Sequence, residues 1–311
     1  MSACRFIGMQ IFSLGELMPL QLGIVGGFQN GKSTLINCLA ENRIAISGDG
    51  LSTTKQVIKY FYAEKPEMHI YTDDQCRTIH FQHLDNLALP EEVTSCKIGV
   101  PCSLLKDVEL WDTPGFNADD RDDKITLDCL GKLDCVIFLK GGISGGLTET
   151  EQFILRAIVA KHLPHIIVFN SQNSTDRQWI PHSEENRKLC ENMAAVIKQQ
   201  GICGTLKLTS DIVLSINTAW YWYKLRQKAK VKFFLPENKG EKVLHKKVSR
   251  FFYTYSDELD ETRMTTYSNV GILKDFLAPE SISFGKIYTR TAIYQKMDEI
   301  RQAFALNTGR E

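Results

Sequence analysis

Residues 26–33 read Gly26-Gly27-Phe28-Gln29-Asn30-Gly31-Lys32-Ser33, the spacing G-x-x-x-x-G-K-[ST]. Glycines at this spacing let a backbone wrap a phosphate. The loop N–H groups and the N-terminus of a following helix then face the anion. The Lys32 ammonium can reach the β- and γ-phosphates, and the Ser33 hydroxyl can ligate Mg²⁺. Gly26, Gln29, Asn30, Gly31, Lys32, Ser33 and Thr34 are therefore the expected phosphate-binding residues.

Two further groups suit the same chemistry. Asp112-Thr113-Pro114-Gly115 ends an apolar run. An aspartate there can hold Mg²⁺ through water, and the Gly115 N–H can meet a γ-phosphate. Ser52-Thr53-Thr54 lies between the two motifs in a glycine-broken stretch. A threonine hydroxyl there, that of Thr54 in particular, can complete a Mg²⁺ shell when a γ-phosphate is present and so order the loop. The expected metal ligands are Ser33, Thr54 and Asp112. The expected catalytic groups are Lys32, Thr53, Thr54 and Gly115.

These groups need a strand before the first loop, a helix after it, and a second strand ending at Asp112. Leu20–Val25 is an apolar run that suits a buried strand, and Thr34–Ala40 suits a helix. Gln56–Tyr62 alternates as a strand. Met68–Tyr71 and Thr78–Phe81 flank Asp73-Asp74 as a hairpin. Val108–Trp111, Cys135–Leu139, His165–Phe169 and Ile212–Ser215 read as further strands. Helices are expected near Ile125–Leu133, then from a Thr148 cap with Phe153, Ile154, Ile158 and Val159 on one side. Another is expected from a Ser183 cap to Gln200, stopping at Gly201. This alternation predicts an α/β fold with a mostly parallel sheet, an antiparallel edge hairpin and helices on both faces.

Composition narrows the class. The 311 residues are 43% hydrophobic and 24% charged, ordinary for a globular protein. Lys+Arg and Asp+Glu both total 37, so global charge gives no pull toward nucleic acid or an anionic membrane. Nine cysteines without a C-x-x-C read as buried free thiols of a reducing compartment. Arg5 and the apolar stretch Phe6–Leu14 lack a cleavage site, so a first packing segment is expected there. A cytoplasmic protein, peripheral at a membrane at most, is the expected setting.

Residues 220–255 differ in character. Aromatics from Trp220 to Tyr255 interleave with Lys224, Arg226, Lys228, Lys230, Lys232 and further basic residues. One reading packs the aromatics on the core with the lysine heads in water. The other brings the segment against an anionic membrane or RNA. Ser268–Leu277 reads as a closing helix, and Ile287, Tyr294, Met297, Ile300 and Phe304 mark an amphipathic terminal helix.

Gly26–Asn37, Thr53-Thr54 and Asp112-Thr113-Pro114-Gly115-Phe116 together resemble P-loop GTPases of the translation-factor class. They are most similar to bacterial dynamin-like GTPases, with Era-like GTPases next. The resemblance covers roughly residues 20–217 and implies a P-loop GTPase fold there; the GTPase domain is expected over residues 1–280, with 220–255 as an insertion and 281–311 as a C-terminal amphipathic helix. It implies GTP and GDP as ligands, Mg²⁺ as cofactor and a nucleotide-dependent homodimer. A partner protein would supply the stalk that mechanoenzymes of this kind need.

The family's base-reading motif is Asn-Lys-x-Asp, and the matching strand end reads Asn170-Ser171-Gln172-Asn173. A shifted register, Asn173-Ser174-Thr175-Asp176, restores the acid. Asn170 is the preferred alignment, with Asp176 as substitute. Ser215-Ile216-Asn217 resembles the fifth motif. Phe116 stands where many GTPases carry a water-orienting glutamine. Relatives with a hydrophobic residue there recruit water across a dimer and with a monovalent cation, and Gln29 holds the position where they place a K⁺ or Na⁺ ligand. The alternatives are an Era-like RNA- or ribosome-associated GTPase and a nucleotide-binding scaffold with little hydrolysis.

Overall fold

The computed structural model describes residues 19–45, 56–73, 75–81, 93–116, 120–141, 147–171, 184–201, 213–227, 242–243, 246, 248–249, 268–278 and 285. Thr53, Thr54, Asn173, Asp176, the Ser183 cap and the expected terminal helix lie outside these residues.

Chain order is β1 (Leu20–Gly26), α1 (Lys32–Ala40), β2 (Ile58–Tyr62), β3 (Glu67–Tyr71), β4 (Cys76–His80), β5 (Ser95–Val100) and a 3₁₀ turn at Ser103–Lys106. Then come β6 (Val108–Asp112), α2 (Asp120–Leu130), β7 (Cys135–Gly141), α3 (Glu149–Ala160) and β8 (His165–Asn170). Last are α4 (Glu184–Gln199), β9 (Val213–Ile216), α5 (Thr218–Gln227) and α6 (Val270–Phe276).

The nine strands form one sheet in the order β4-β3-β5-β2-β6-β1-β7-β8-β9. β6, β1, β7, β8 and β9 run parallel to one another. The β3–β4 hairpin forms the expected antiparallel edge. The sheet also holds an antiparallel pair away from that edge, β2 against β6. β5 is a strand that the sequence pattern does not announce, because Ser95-Cys96-Lys97-Ile98-Gly99-Val100 carries a lysine and a glycine. It pairs parallel with β2 and antiparallel with β3, and so joins the hairpin to the main sheet.

Helices cover both faces. On one side α1, α5 and α6 bury Leu35, Leu39, Tyr221, Trp222 and Leu273 against Leu22, Ile24, Ile98 and Leu139. On the other, α2, α3 and α4 bury Leu130, Ile154, Ile158 and Met193 against Val25, Phe138 and Ile167. Each such fully buried side chain stabilises the fold by about 1.5–3 kcal/mol relative to exposure.

Two helices depart from their sequence bounds. α2 starts five residues before Ile125, because its first turn is acidic rather than apolar. In α3 the buried stripe is Ile154, Leu155 and Ile158, whereas Phe153 is exposed. The predicted Thr148 cap is present and is a full capping box. Its hydroxyl accepts from the Glu151 N–H, and the Glu151 carboxylate accepts from the Thr148 N–H. The 220–255 segment begins inside α5, with Trp220, Tyr221 and Trp222 all buried.

Candidate nucleotide-binding site

The carboxyl ends of β1, β6, β7, β8 and β9 face one edge of the parallel sheet, where open α/β sheets bind ligands. The 26–33 loop leaves β1 there and enters α1. Gly31 adopts φ +89°, a left-handed conformation that favours glycine, directly before the first helical residue. Gln29 is also left-handed, at φ +59°, and its side chain is exposed. Thr34 is buried on α1.

Lys32 is buried, and its ammonium donates to the Gly26 carbonyl at 3.0 Å and the Gly27 carbonyl at 3.1 Å. The side chain thus folds back over its own loop. Burial pushes the Lys32 ammonium down to about 8, while the Asp112 and Asp122 carboxylates hold it up.

The second motif is brought to the first by strand pairing. β6 lies beside β1, with Ile24 opposite Asp112. The Ser33 hydroxyl donates to Asp112 Oδ2 at 2.8 Å. Burial pushes the Asp112 carboxyl up to about 6, against the pull of Lys32 and the Ser33 hydrogen bond. Its other oxygen, Oδ1, is buried without a hydrogen-bond partner. A hydroxyl and a half-satisfied carboxylate side by side are the hard oxygen donors that Mg²⁺ takes. The donor set therefore fits the ion expected at Ser33 and Asp112.

One side-chain and one backbone hydrogen bond fix the loop after β6. The Thr113 hydroxyl donates to the Ile24 carbonyl at 2.9 Å, and the Phe28 N–H donates to the Phe116 carbonyl at 3.0 Å. Gly115 sits between them. A Cβ there would stand 2.8 Å from Phe28 Cα and 3.0 Å from Lys32 Nζ. The Phe116 ring turns away into the core, fully buried and stacked on Phe138 with centroids 5.9 Å apart. Its position after Gly115 thus offers no polar side chain to the site.

Asn30 and Asn170 hold the far side of the loop. Asn30 Nδ2 donates to the Leu139 carbonyl at 2.9 Å. Asn170, buried at the end of β8, donates from Nδ2 to the Asn30 carbonyl at 2.9 Å and to the Thr218 hydroxyl at 3.1 Å. Its Oδ1 accepts from the Thr218 N–H. Ser215 is buried on β9, and Asn269 donates to its carbonyl.

Several residues at the site carry no signal in the sequence. Thr218 is one, because it sits in no motif and meets Asn170 only through the β8–β9 pairing. Lys140 and Glu151 are others. They form an ion pair at 3.3 Å, each about 5% exposed, between the end of β7 and the capping box of α3. Lys140 lies between Leu139 and Gly141, both of which lie against the Asn30 side chain.

A glycine-rich loop after the first strand of such a sheet, facing an aspartate at the end of the adjacent parallel strand, is the arrangement found in P-loop GTPases. Residues 22–172 match the model of the Dynamin family, and the chain resembles the dynamin-like GTPases of bacteria. It is 30% identical over 139 residues to the probable transmembrane GTPase FZO-like, chloroplastic, of Arabidopsis thaliana, covering 44% of this chain and 13% of that one. It is 28% identical over 151 residues to Dynamin-like protein 2 of Campylobacter jejuni, covering 46% of this chain and 24% of that one. The chain thus spans a quarter or less of the length of these relatives.

Among solved structures, an oligomerised bacterial dynamin pair aligns with 83% of this chain and 37% of its own, at 19% identity and a TM-score of 0.45. Era of Aquifex aeolicus bound to GDP and aluminium fluoride aligns with 71% of this chain and 59% of its own, at 17% identity and a TM-score of 0.37. Among the described residues no helix is long and apolar enough to cross a membrane.

Proposed function

We propose that this chain binds a guanine nucleotide with Mg²⁺ and hydrolyses the triphosphate. The observation that carries this reading is the Ser33–Asp112 contact at 2.8 Å, with the second Asp112 oxygen buried and unpartnered beside the Lys32 ammonium. In this reading Gly26, Gln29, Asn30, Gly31, Lys32, Ser33 and Thr34 hold the phosphates. Lys32 exchanges the Gly26 and Gly27 carbonyls for phosphate oxygens. The Gly115 N–H meets the γ-phosphate, and Thr53 and Thr54 close over it. Ser33, Thr54 and Asp112 would hold Mg²⁺, which neutralises charge on the β- and γ-phosphates when bound. Asn170 and Asn173 read the base in this reading, Asp176 replaces them if the register is shifted, and Ser215 belongs to the fifth motif.

The rate of a single copy is slow in this reading, and a second copy raises it. The buried Phe116 ring supports this, since the side chain after Gly115 supplies no water-orienting group. A missing charge-stabilising group costs about 10³–10⁵ in rate. The Gln29 carbonyl group offers a site for K⁺ or Na⁺. The catalytic domain spans residues 1–280, followed by a helix at 281–311. The basic residues within 220–255 provide contact with an anionic surface, and a partner protein supplies a stalk.

The deciding measurement is binding of GTP, ATP and XTP in parallel, by the wild-type protein and by Lys32→Ala. GTP is expected to be preferred over ATP, and Lys32→Ala to lose binding or turnover while staying folded. Normal turnover by folded Lys32→Ala would remove the assignment.

A further inference from the structure

β7 pairs with β1 only as far as Leu139, opposite Gly26, whereas its pairing with β8 runs on through Lys140 and Gly141. The last two residues of β7 therefore pair with a strand on one side only. Asn30 of the 26–33 loop leans on this strand end. Its Nδ2 donates to the Leu139 carbonyl at 2.9 Å, and its Oδ1 lies 2.5 Å from where a Gly141 Cβ would stand. Asn170, opposite Gly141, holds the Asn30 carbonyl at 2.9 Å. The seat of Asn30 is thus the end of β7 with its neighbour on β8.

Lys140 is the middle residue of that seat. On the α3 side β7 presents Val136, Phe138 and then Lys140, alternate residues of one strand. Val136 and Phe138 pack in one apolar cluster with Ile154 and Ile158 of α3. At Lys140 the apolar contact gives way to charge. Its ammonium meets Glu151 Oε1 at 3.3 Å, with both side chains 5% exposed. Glu151 is a fixed post, because its other oxygen accepts from the Thr148 N–H at 2.8 Å and α3 behind it is anchored in the core. A buried pair is a poor way to add stability, since apolar residues of similar volume often do as well or better. What two opposite charges add at this point is a single geometry for the strand end.

We propose that Lys140 and Glu151 are positioning residues for the nucleotide site. The pair ties the end of β7 to α3 and so sets where Asn30, and with it the phosphate loop, sits. The inference rests on the nucleotide-binding reading above. Both residues act through Asn30 and not by touching the nucleotide. The competing role is stability alone.

The test compares GDP affinity and thermal unfolding for wild type, Lys140→Met, Lys140→Arg, Glu151→Gln, the combination of Lys140→Met with Glu151→Gln, and Asn30→Ala with and without that combination. Affinities are read below each variant's unfolding transition, so lost folded protein cannot pass for lost affinity. Glutamine keeps the acceptor that the capping box needs. Each of Lys140→Met and Glu151→Gln strands a charge and is expected to lower thermal stability. The combination should recover most of that stability and still bind GDP about tenfold more weakly than wild type. Lys140→Arg keeps the charge and is expected to stay within about threefold of wild-type affinity. In the Asn30→Ala background the combination should change GDP affinity by less than about twofold, because pair and amide serve one contact. Wild-type GDP affinity in the stable combination overturns the proposal and leaves the pair a stability element. So does a loss that adds in full to that of Asn30→Ala, or a Lys140→Arg protein that binds as weakly as Lys140→Met. A folded wild-type protein that binds neither GDP nor GTP sinks the nucleotide-binding reading itself, and the pair's role with it.

Discussion

The side-chain amide of Asn170 donates to the main-chain carbonyl of Asn30 across 2.9 Å, so the end of β8 braces the phosphate loop from outside. The same amide grips Thr218 at the start of α5, so one buried side chain joins three segments. Both its amide hydrogens serve the protein in this arrangement.

Asn170→Ala is expected to leave the Asn30 carbonyl and the Thr218 N–H without this partner, at about 1–3 kcal/mol. The loosened loop should bind nucleotide about tenfold more weakly or worse. Asn170→Asp should be no better, because it keeps the acceptor for Thr218 and turns the Asn30 contact repulsive. Nucleotide titration with thermal unfolding checks both variants. Wild-type affinity in folded Asn170→Ala would show that the brace is dispensable.

Gly115→Ala tests the close approach of the 26–33 loop and the loop after β6. Its Cβ would press on Phe28 Cα at 2.8 Å, so backbone rather than a flexible side chain must move. Hydrolysis is expected to fall about 10²-fold or more as the Gly115 donor is displaced. GDP affinity should change less, since the 26–33 loop holds its own phosphate contacts. Equal losses of GDP and GTP binding would point to collapse of the loop instead.

Self-association should govern turnover. Specific activity is expected to climb with enzyme concentration and with K⁺. Flat activity from nanomolar to tens of micromolar enzyme, without a cation effect, would count decisively against it. Phe116→Gln is not expected to accelerate a single copy. The ring it removes is fully buried on Phe138, so the change should cost stability, about 3–5 kcal/mol if it behaves as a core truncation.

His165 makes acid stability measurable. It is buried at the start of β8, its Nδ1 facing the Leu163 carbonyl at 2.9 Å and its Nε2 without a partner. Burial lowers its pKa, so the unfolded chain binds the proton more tightly than the folded one. The stability it contributes is present above the unfolded value, about 6.5, and is lost as pH falls below that. His165→Phe should flatten this part of the profile in denaturant melts at stepped pH. An unchanged slope would assign the acid limb to other groups.

Local patterns carried the phosphate loop, Asp112, Gly115 and the alternation of strands and helices into view, because each depends on nearby residues. The Thr148 cap was legible for the same reason. β5 was not, since its pairing with β2 and β3 is long-range and its composition is neither strictly alternating nor uniformly apolar. Phe153 misled because a helical stripe of bulky residues does not say where its edge lies. Thr218 and Lys140 were silent for a related reason. Their meaning comes from partners far along the chain, and burial of a charge cannot be read from spacing.

The Lys140–Glu151 pair has a consequence for how this chain can change over generations. Losing either member alone strands a charge in the interior, at about 3–5 kcal/mol, a large share of the stability of an ordinary domain. Losing both together to apolar residues of similar volume is often close to neutral. Glu151 is further held in place because its carboxylate also closes the α3 cap. The two positions therefore drift as a unit or stay fixed. In a set of descendants, lysine at 140 and glutamate at 151 should appear and vanish together.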